Sequence, residues 1–117
     1  MSLTSVEVFA ALGDPTRQRL LEQLAARVRA SATELAGPLT LTRQAVEKHL
    51  RVLDRAGLVA THRSGRRVSY EVRPETLRDS ADWLDQLASS WDRRLEAVRS
   101  AAEAVAGEGG DLTRSPR

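Results

Sequence analysis

The segment LTRQAVEKHLRVLDRAGLV, Leu41 to Val59, constrains this chain more than any other part of it. Thr42 is a good N-cap, no Gly or Pro interrupts the residues that follow, and Gly57 suits the left-handed position just past a helix end. Val46, Leu50 and Leu53 recur at i, i+4 and i+7 and so share one apolar face. Arg43, Gln44, Glu47, Lys48 and Arg51 fall on the opposite face. A helix with an apolar back and a front of amide and cationic groups suits the major groove of DNA. There Gln44 matches adenine in donor and acceptor pattern, and Arg43 or Arg51 matches guanine or phosphate. An ordinary amphipathic surface helix shares this periodicity, so the neighbouring segments must decide between the two.

Those neighbours supply a helix-turn-helix. Val6, Phe9, Ala10 and Leu12 lie on a first apolar helix over residues 4–12 that Gly13 ends. Asp14-Pro15 is an N-cap followed by proline at the first helical position, and it opens a second helix carrying Leu20, Leu21, Leu24 and Val28 to about Arg29. Ser31 or Thr33 opens a short third helix with Leu35 and Ala36 inward, which Gly37-Pro38 is expected to end. A short helix, a tight connection and the amphipathic helix from Thr42 complete the motif. Past Gly57 the period changes to two, with Leu58-Val59 and then Val68, Tyr70 and Val72, and Ser64-Gly65 reads as the hairpin turn between them. The tip then carries Arg63, Arg66 and Arg67. Beside a recognition helix such a hairpin is a wing that reaches a minor groove or flanking phosphates, and alone it would equally serve to keep a sheet edge soluble.

Charge supports the first reading. The whole chain of 117 residues carries only +2, but from Arg43 to Arg67 seven cations face two acids, a net +5. From Glu71 to Glu103 five arginines face eight acids, a net −3. A basic middle beside an acidic C-terminal helix fits a polyanion-binding face with a separate second surface. Lys48 is the sole lysine among eighteen cations, so part of the arginine richness reflects general usage. The absence of cysteine removes disulfides, thiolate metal sites and cysteine nucleophiles. With Glu7 and Asp14 near its start and no basic stretch before them, the N-terminus is not expected to be a signal peptide. No apolar run approaches the roughly 20 residues that span a bilayer, so a cytoplasmic protein without membrane partners is expected.

From Glu75 to Ala106 the pattern is one long helix. Leu77, Ala81, Leu84, Ala88, Trp91, Leu95, Val98, Ala102 and Val105 alternate steps of four and three, a heptad seam over four repeats, with Trp83 and Leu87 beside it. A seam of that length exceeds what the short helices can cover. It is expected to pack partly on the first helix and partly on a second copy. Residues 1–106 are thus read as one DNA-binding and dimerisation domain, and 107–117 as a disordered Gly-rich tail. The fold class expected is mainly α with a small β-hairpin, about five helices plus a two-stranded wing.

ALGDPTRQRLLEQLA, then ELAGPLTLTRQAVEKHLRVLDRAGLV and the wing SGRRVSYEV, resemble the winged helix-turn-helix repressors of the ArsR/SmtB family, over roughly residues 6–105. The resemblance implies a homodimer joined through the first and last helices, which places Val6, Phe9, Leu84, Ala88, Trp91, Leu95 and Val98 at the interface. It also implies a palindromic operator of double-stranded DNA, read by the helix over residues 42–56 and the wing over residues 59–72. Repression would be lifted by an inducer, either a small molecule or a protein. DNA-contacting residues on this reading are Thr42, Arg43, Gln44, Glu47, Lys48, Arg51, Arg63, Arg66 and Arg67.

Two departures from the family pattern stand out. The third-helix region SATELAGPL lacks the thiols that select soft metals, and the last helix contains no histidine. Glu47 occupies a position where many relatives carry a small hydroxyl residue. A carboxylate there accepts from a cytosine amino group or repels phosphate.

No cofactor or metal site is expected. The competing metal-responsive regulator would hold nickel or zinc through His and carboxylate, drawing on Asp82, Asp85, Asp92, Glu96 and Glu103 of the last helix, a run that otherwise reads as a solvated face. His49 reads as a packed structural histidine and His62 as a polar strand or phosphate-contact residue. A third reading is a winged-helix interaction module controlled by a partner protein, against which the +5 segment argues. An enzyme is not expected, because no nucleophile–base spacing is present.

Overall fold

In the computed structural model, residues 3–108 are described. In chain order they form α1 Leu3–Leu12, α2 Pro15–Arg27, α3 Ala32–Leu39, α4 Arg43–Arg55, β1 Val59–Ser64, β2 Arg67–Val72 and α5 Pro74–Glu108. Among the described residues this is the expected architecture of five helices and one antiparallel hairpin. The chain divides between Ala81 and Asp82 into two units.

The first unit is organised by helix ends whose chemistry is local. The Asp14 carboxylate accepts from the Arg17 backbone N–H at 3.0 Å, with Pro15 next in line. Ser31 and Glu34 form a reciprocal capping box at the start of α3. The Thr42 hydroxyl accepts from the Ala45 N–H at 3.1 Å and starts α4. At the other end of α4, Gly57 has φ +78°, and the Gly57 and Leu58 N–H groups donate back to Asp54 and Leu53 carbonyls at 3.0 and 2.9 Å. That pairing satisfies the last carbonyls and turns the chain into the wing.

Between these ends lies a core in which Leu20, Leu24, Leu35, Val46, Leu50, Leu53 and Leu58 have no solvent exposure. Burying one such leucine is worth roughly 1.5–3 kcal/mol. α4 touches α1, α2, α3 and β1, so its apolar back is clamped from several sides while its front stays open. α1 turns Val8 and Ala11 inward rather than Val6, which is half-exposed. The base of the wing is tied to α5 at its start. The Arg73 N–H donates to the Leu58 carbonyl at 2.8 Å, and the Thr76 hydroxyl donates to the Gly57 carbonyl at 2.6 Å.

The structure corrects four boundaries. α2 ends at Arg27, and Val28 is not on its apolar face: it has φ +72° and is 68% exposed. A β-branched residue at that φ is strained, and the Val28 N–H still closes the helix onto the Leu24 carbonyl at 2.8 Å. α3 runs through Gly37-Pro38 to Leu39. Proline disfavours α conformation in its predecessor by crowding that residue's N–H and Cβ, and Gly37 lacks the Cβ, which removes part of the clash. The helix closes instead at Thr40, which is left-handed at φ 56°, with the Leu41 N–H on the Ala36 carbonyl. In the wing, Ser64 pairs with Arg67, so the two-residue loop is Gly65-Arg66 rather than Ser64-Gly65. Gly65 at φ +62° takes the first loop position, where a hairpin turn of the II′ kind requires positive φ. α5 continues past Ala106 through Gly107 to Glu108, and the remainder of the tail lies outside the described residues.

An additional contact has no signature in the sequence pattern. Ala30 bridges to Tyr70 of β2, each backbone N–H donating to the other's carbonyl at 3.1 and 2.8 Å. It pins the wing beside the segment leading into α3. In the second unit the α5 seam lies open. Leu84, Leu87, Trp91, Leu95, Val98 and Val105 are each about half-exposed or more.

Candidate nucleic-acid interface

α4 presents the predicted front. Arg43, Gln44, Lys48 and Arg51 are exposed, while Glu47 is half-buried. Gln44, Lys48 and Arg51 make no hydrogen bond or ion pair among the described residues, which leaves their donors available to a ligand. Arg43 leans toward Glu47, Nε to Oε2, at 3.9 Å. This is a loose i,i+4 pair rather than a hydrogen bond.

The wing stands alongside, and it divides the cations into two grooves. One, of about 530 Å³, lies between the start of α3, the start of α4 and β2, and brings Arg43 together with Arg66 and Arg67. The other, of about 560 Å³, brings Arg51 together with Arg63 between α4 and the hairpin. Glu47, Val68 and Tyr70 line both and form the wall between them. Tyr70 is half-buried there. Burial, then the Glu47 carboxylate, raises its hydroxyl above the ordinary pKa, so it stays a neutral donor. Its alternation with Val68 and Val72 marks Tyr70 only as a strand residue; its place between the grooves depends on the docking of hairpin to helix.

Residues behind the front hold it in position. Arg17 donates to the Ala11 carbonyl at 2.7 Å and lies 3.3 Å from His49 Nδ1. The same Nδ1 lies 4.0 Å from the Asp14 carboxylate. His49 is therefore a packed structural histidine that fixes α4 to the junction of α1 and α2. The Asp14 carboxyl beside it is held below its ordinary pKa, first by the Arg17 backbone N–H. In the wing, Glu71 accepts from both His62 Nε2 at 2.8 Å and Arg29 at 3.1 Å. The Arg29 bond first, then the His62 bond, lowers the Glu71 pKa. His62 is thus a strand residue bound to a neighbour.

Glu34 lies outside the site that the sequence pattern marks. The structure brings it to the interface through Arg67, whose Nη2 lies 3.1 Å from Glu34 Oε1. The backbone N–H of Ser31, above all, keeps the Glu34 carboxyl below its ordinary range. Among the described residues no three His, Asp or Glu side chains converge to hold a metal ion, and no helix is long and apolar enough to cross a membrane.

This geometry has known counterparts. A family model described as a helix-turn-helix domain matches residues 12–62. An ArsR-like transcriptional regulator from Rhodococcus sp. RHA1 superposes with a TM-score of 0.77 at 39% identity, over 85% of this chain and 92% of its own. The HTH-type transcriptional regulator Rv2034 of Mycobacterium tuberculosis is 37% identical over 88% of this chain and 90% of its own length. The transcriptional repressor SdpR of Bacillus subtilis is 28% identical over 75% of this chain and 97% of its own. The family model spans α2, α3 and α4 and ends within β1. The chain belongs to the ArsR family of winged helix-turn-helix transcriptional regulators, which are not enzymes.

Proposed function

We propose that this regulator is a homodimeric repressor that binds a palindromic operator through α4 and the wing and is released by an inducer. The observation that carries the DNA reading is the pair of grooves flanking α4, in which exposed Arg51, Arg63 and Arg66 meet no acid partner among the described residues. Gln44 reads a base, Thr42 and the start of α4 meet a phosphate, and Lys48 and Arg51 contact the backbone or a guanine. Self-association is supported by the α5 seam. A row of large apolar side chains at heptad spacing, Trp91 among them, is what one copy offers another. Two copies related by a two-fold axis would present two α4 helices to successive major grooves, which is why the operator should be palindromic. Repression rather than activation follows the likeness to SdpR.

The test is fluorescence anisotropy on duplexes from the region upstream of the coding sequence, over a salt series. Binding should weaken steeply with salt, and the double change Arg63→Ala and Arg66→Ala should flatten the log–log slope by about 0.9 for each phosphate left without its arginine. Gln44→Ala should alter preference at one base position, by about 1–3 kcal/mol, with the slope unchanged. No binding at low salt by the unchanged protein would end this reading.

A further inference from the structure

Of the three wing arginines, one is held and two are open. Arg63 and Arg66 meet no acid among the described residues. Arg67, beside the hairpin loop, donates to Glu34 Oε1 at 3.1 Å across 33 positions of sequence. That same oxygen accepts the Ser31 backbone N–H at 2.8 Å, while the Ser31 hydroxyl accepts the Glu34 N–H at 3.2 Å. The capping box therefore sets the carboxylate in place before Arg67 arrives, and little side-chain freedom is given up in forming the pair.

We propose that Glu34 is a specificity-determining positioning residue, which withholds Arg67 from phosphate by keeping its guanidinium on a carboxylate fixed by the α3 cap. The proposal rests on the DNA-binding reading. A free arginine on a wing neutralises any phosphate whatever the sequence beneath it, and such pairing supplies nearly all sequence-independent affinity. An arginine already on a carboxylate gains only the difference between two anions. Arbitrary duplex is then held by Arg63, Arg66 and the front of α4, while Arg67 is released only where the fit is close enough to displace Glu34. The same ion pair ties β2 to α3, so releasing Arg67 also loosens one of the bonds that seat the wing.

The experiment uses the full chain and a duplex of arbitrary sequence about three helical turns long, read by anisotropy from low to moderate salt. Glu34→Gln is the variant of choice, because glutamine preserves the capping box and removes the charge; unchanged helix content by circular dichroism would confirm that the fold is kept. Affinity should rise about two- to fivefold, the range of a single exposed ion pair. The log–log salt slope should steepen by about 0.9 per subunit, as expected for one further phosphate neutralised. In an Arg67→Ala background Glu34→Gln should change neither quantity. Equal slopes for Glu34→Gln and the unchanged protein overturn the proposal. So does a gain that persists without Arg67, since it would then reflect only one fewer negative charge nearby. If the unchanged protein binds no duplex, the DNA reading itself falls and takes this proposal with it, an outcome distinct from the other two.

Discussion

The back of α4 and the seam of α5 have the same pattern and opposite fates. Val46, Leu50 and Leu53 of α4 are fully buried, whereas Leu84, Trp91, Leu95 and Val98 of α5 are 49–62% exposed. Both faces follow helical spacing with comparable side chains. α4 is short, and three helices and a strand close over it. α5 runs 35 residues, and from Leu84 onward its apolar row lies open. Periodicity therefore says which residues share a face, and coverage is a separate matter set by what else is within reach. An uncovered face of this length is a request for a partner.

Truncating each face in turn tests this contrast most severely. Leu50→Ala should destabilise the fold by about 2–5 kcal/mol, read as a lower denaturant midpoint with similar slope, because the cavity cannot collapse in a core clamped on several sides. Leu95→Ala should act on association instead. Sedimentation equilibrium should show self-association weakened by about 1–2 kcal/mol, roughly five- to thirtyfold, while unfolding at a fixed dilute concentration changes little. If Leu95→Ala cost as much in unfolding as Leu50→Ala, the seam would be covered within its own chain and the contrast would vanish.

The smallest effect concerns pH and two carboxylates of the first unit. Glu34 and Glu71 both have carboxyl pKa values lowered from the ordinary 4.5, Glu34 by the Ser31 cap and Glu71 by Arg29 and His62. The folded state thus binds these protons less tightly than the unfolded chain does. Their stabilising contribution is complete above about pH 4.5 and is lost as pH falls below it. Hydrogen exchange should show the wing amides losing protection on acidification, and Glu71→Gln should remove part of that dependence. A wing equally protected in acid would show that these pairs do not hold it.

Much of this molecule is legible in its residues, and for local reasons. Thr42, Asp14 and Ser31 cap helices with their own side chains, and Gly57 takes a positive φ that other residues resist, so each boundary is written within a few positions of itself. The misplaced boundaries are local too. Gly37 removes part of the crowding by which a proline ends a helix, and Gly65 serves as well in the first loop position as in the second, so the turn sits one residue further on than the pattern suggests. Glu34 and Tyr70 escape a reading of sequence for a different reason. Their roles arise from meeting Arg67 and Glu47 across the fold, and no spacing rule encodes a pairing between an α3 cap and a hairpin.

What the residues established alone is an amphipathic helix with a cationic front, a hairpin rich in arginine and a long helix with an apolar stripe, because caps, periods and charge act over a turn or two. The folded arrangement settled which stripe is covered, how the wing arginines divide between two grooves, and which of them is already held by an acid. Those outcomes turn on the distances between elements, which depend on packing rather than on sequence separation.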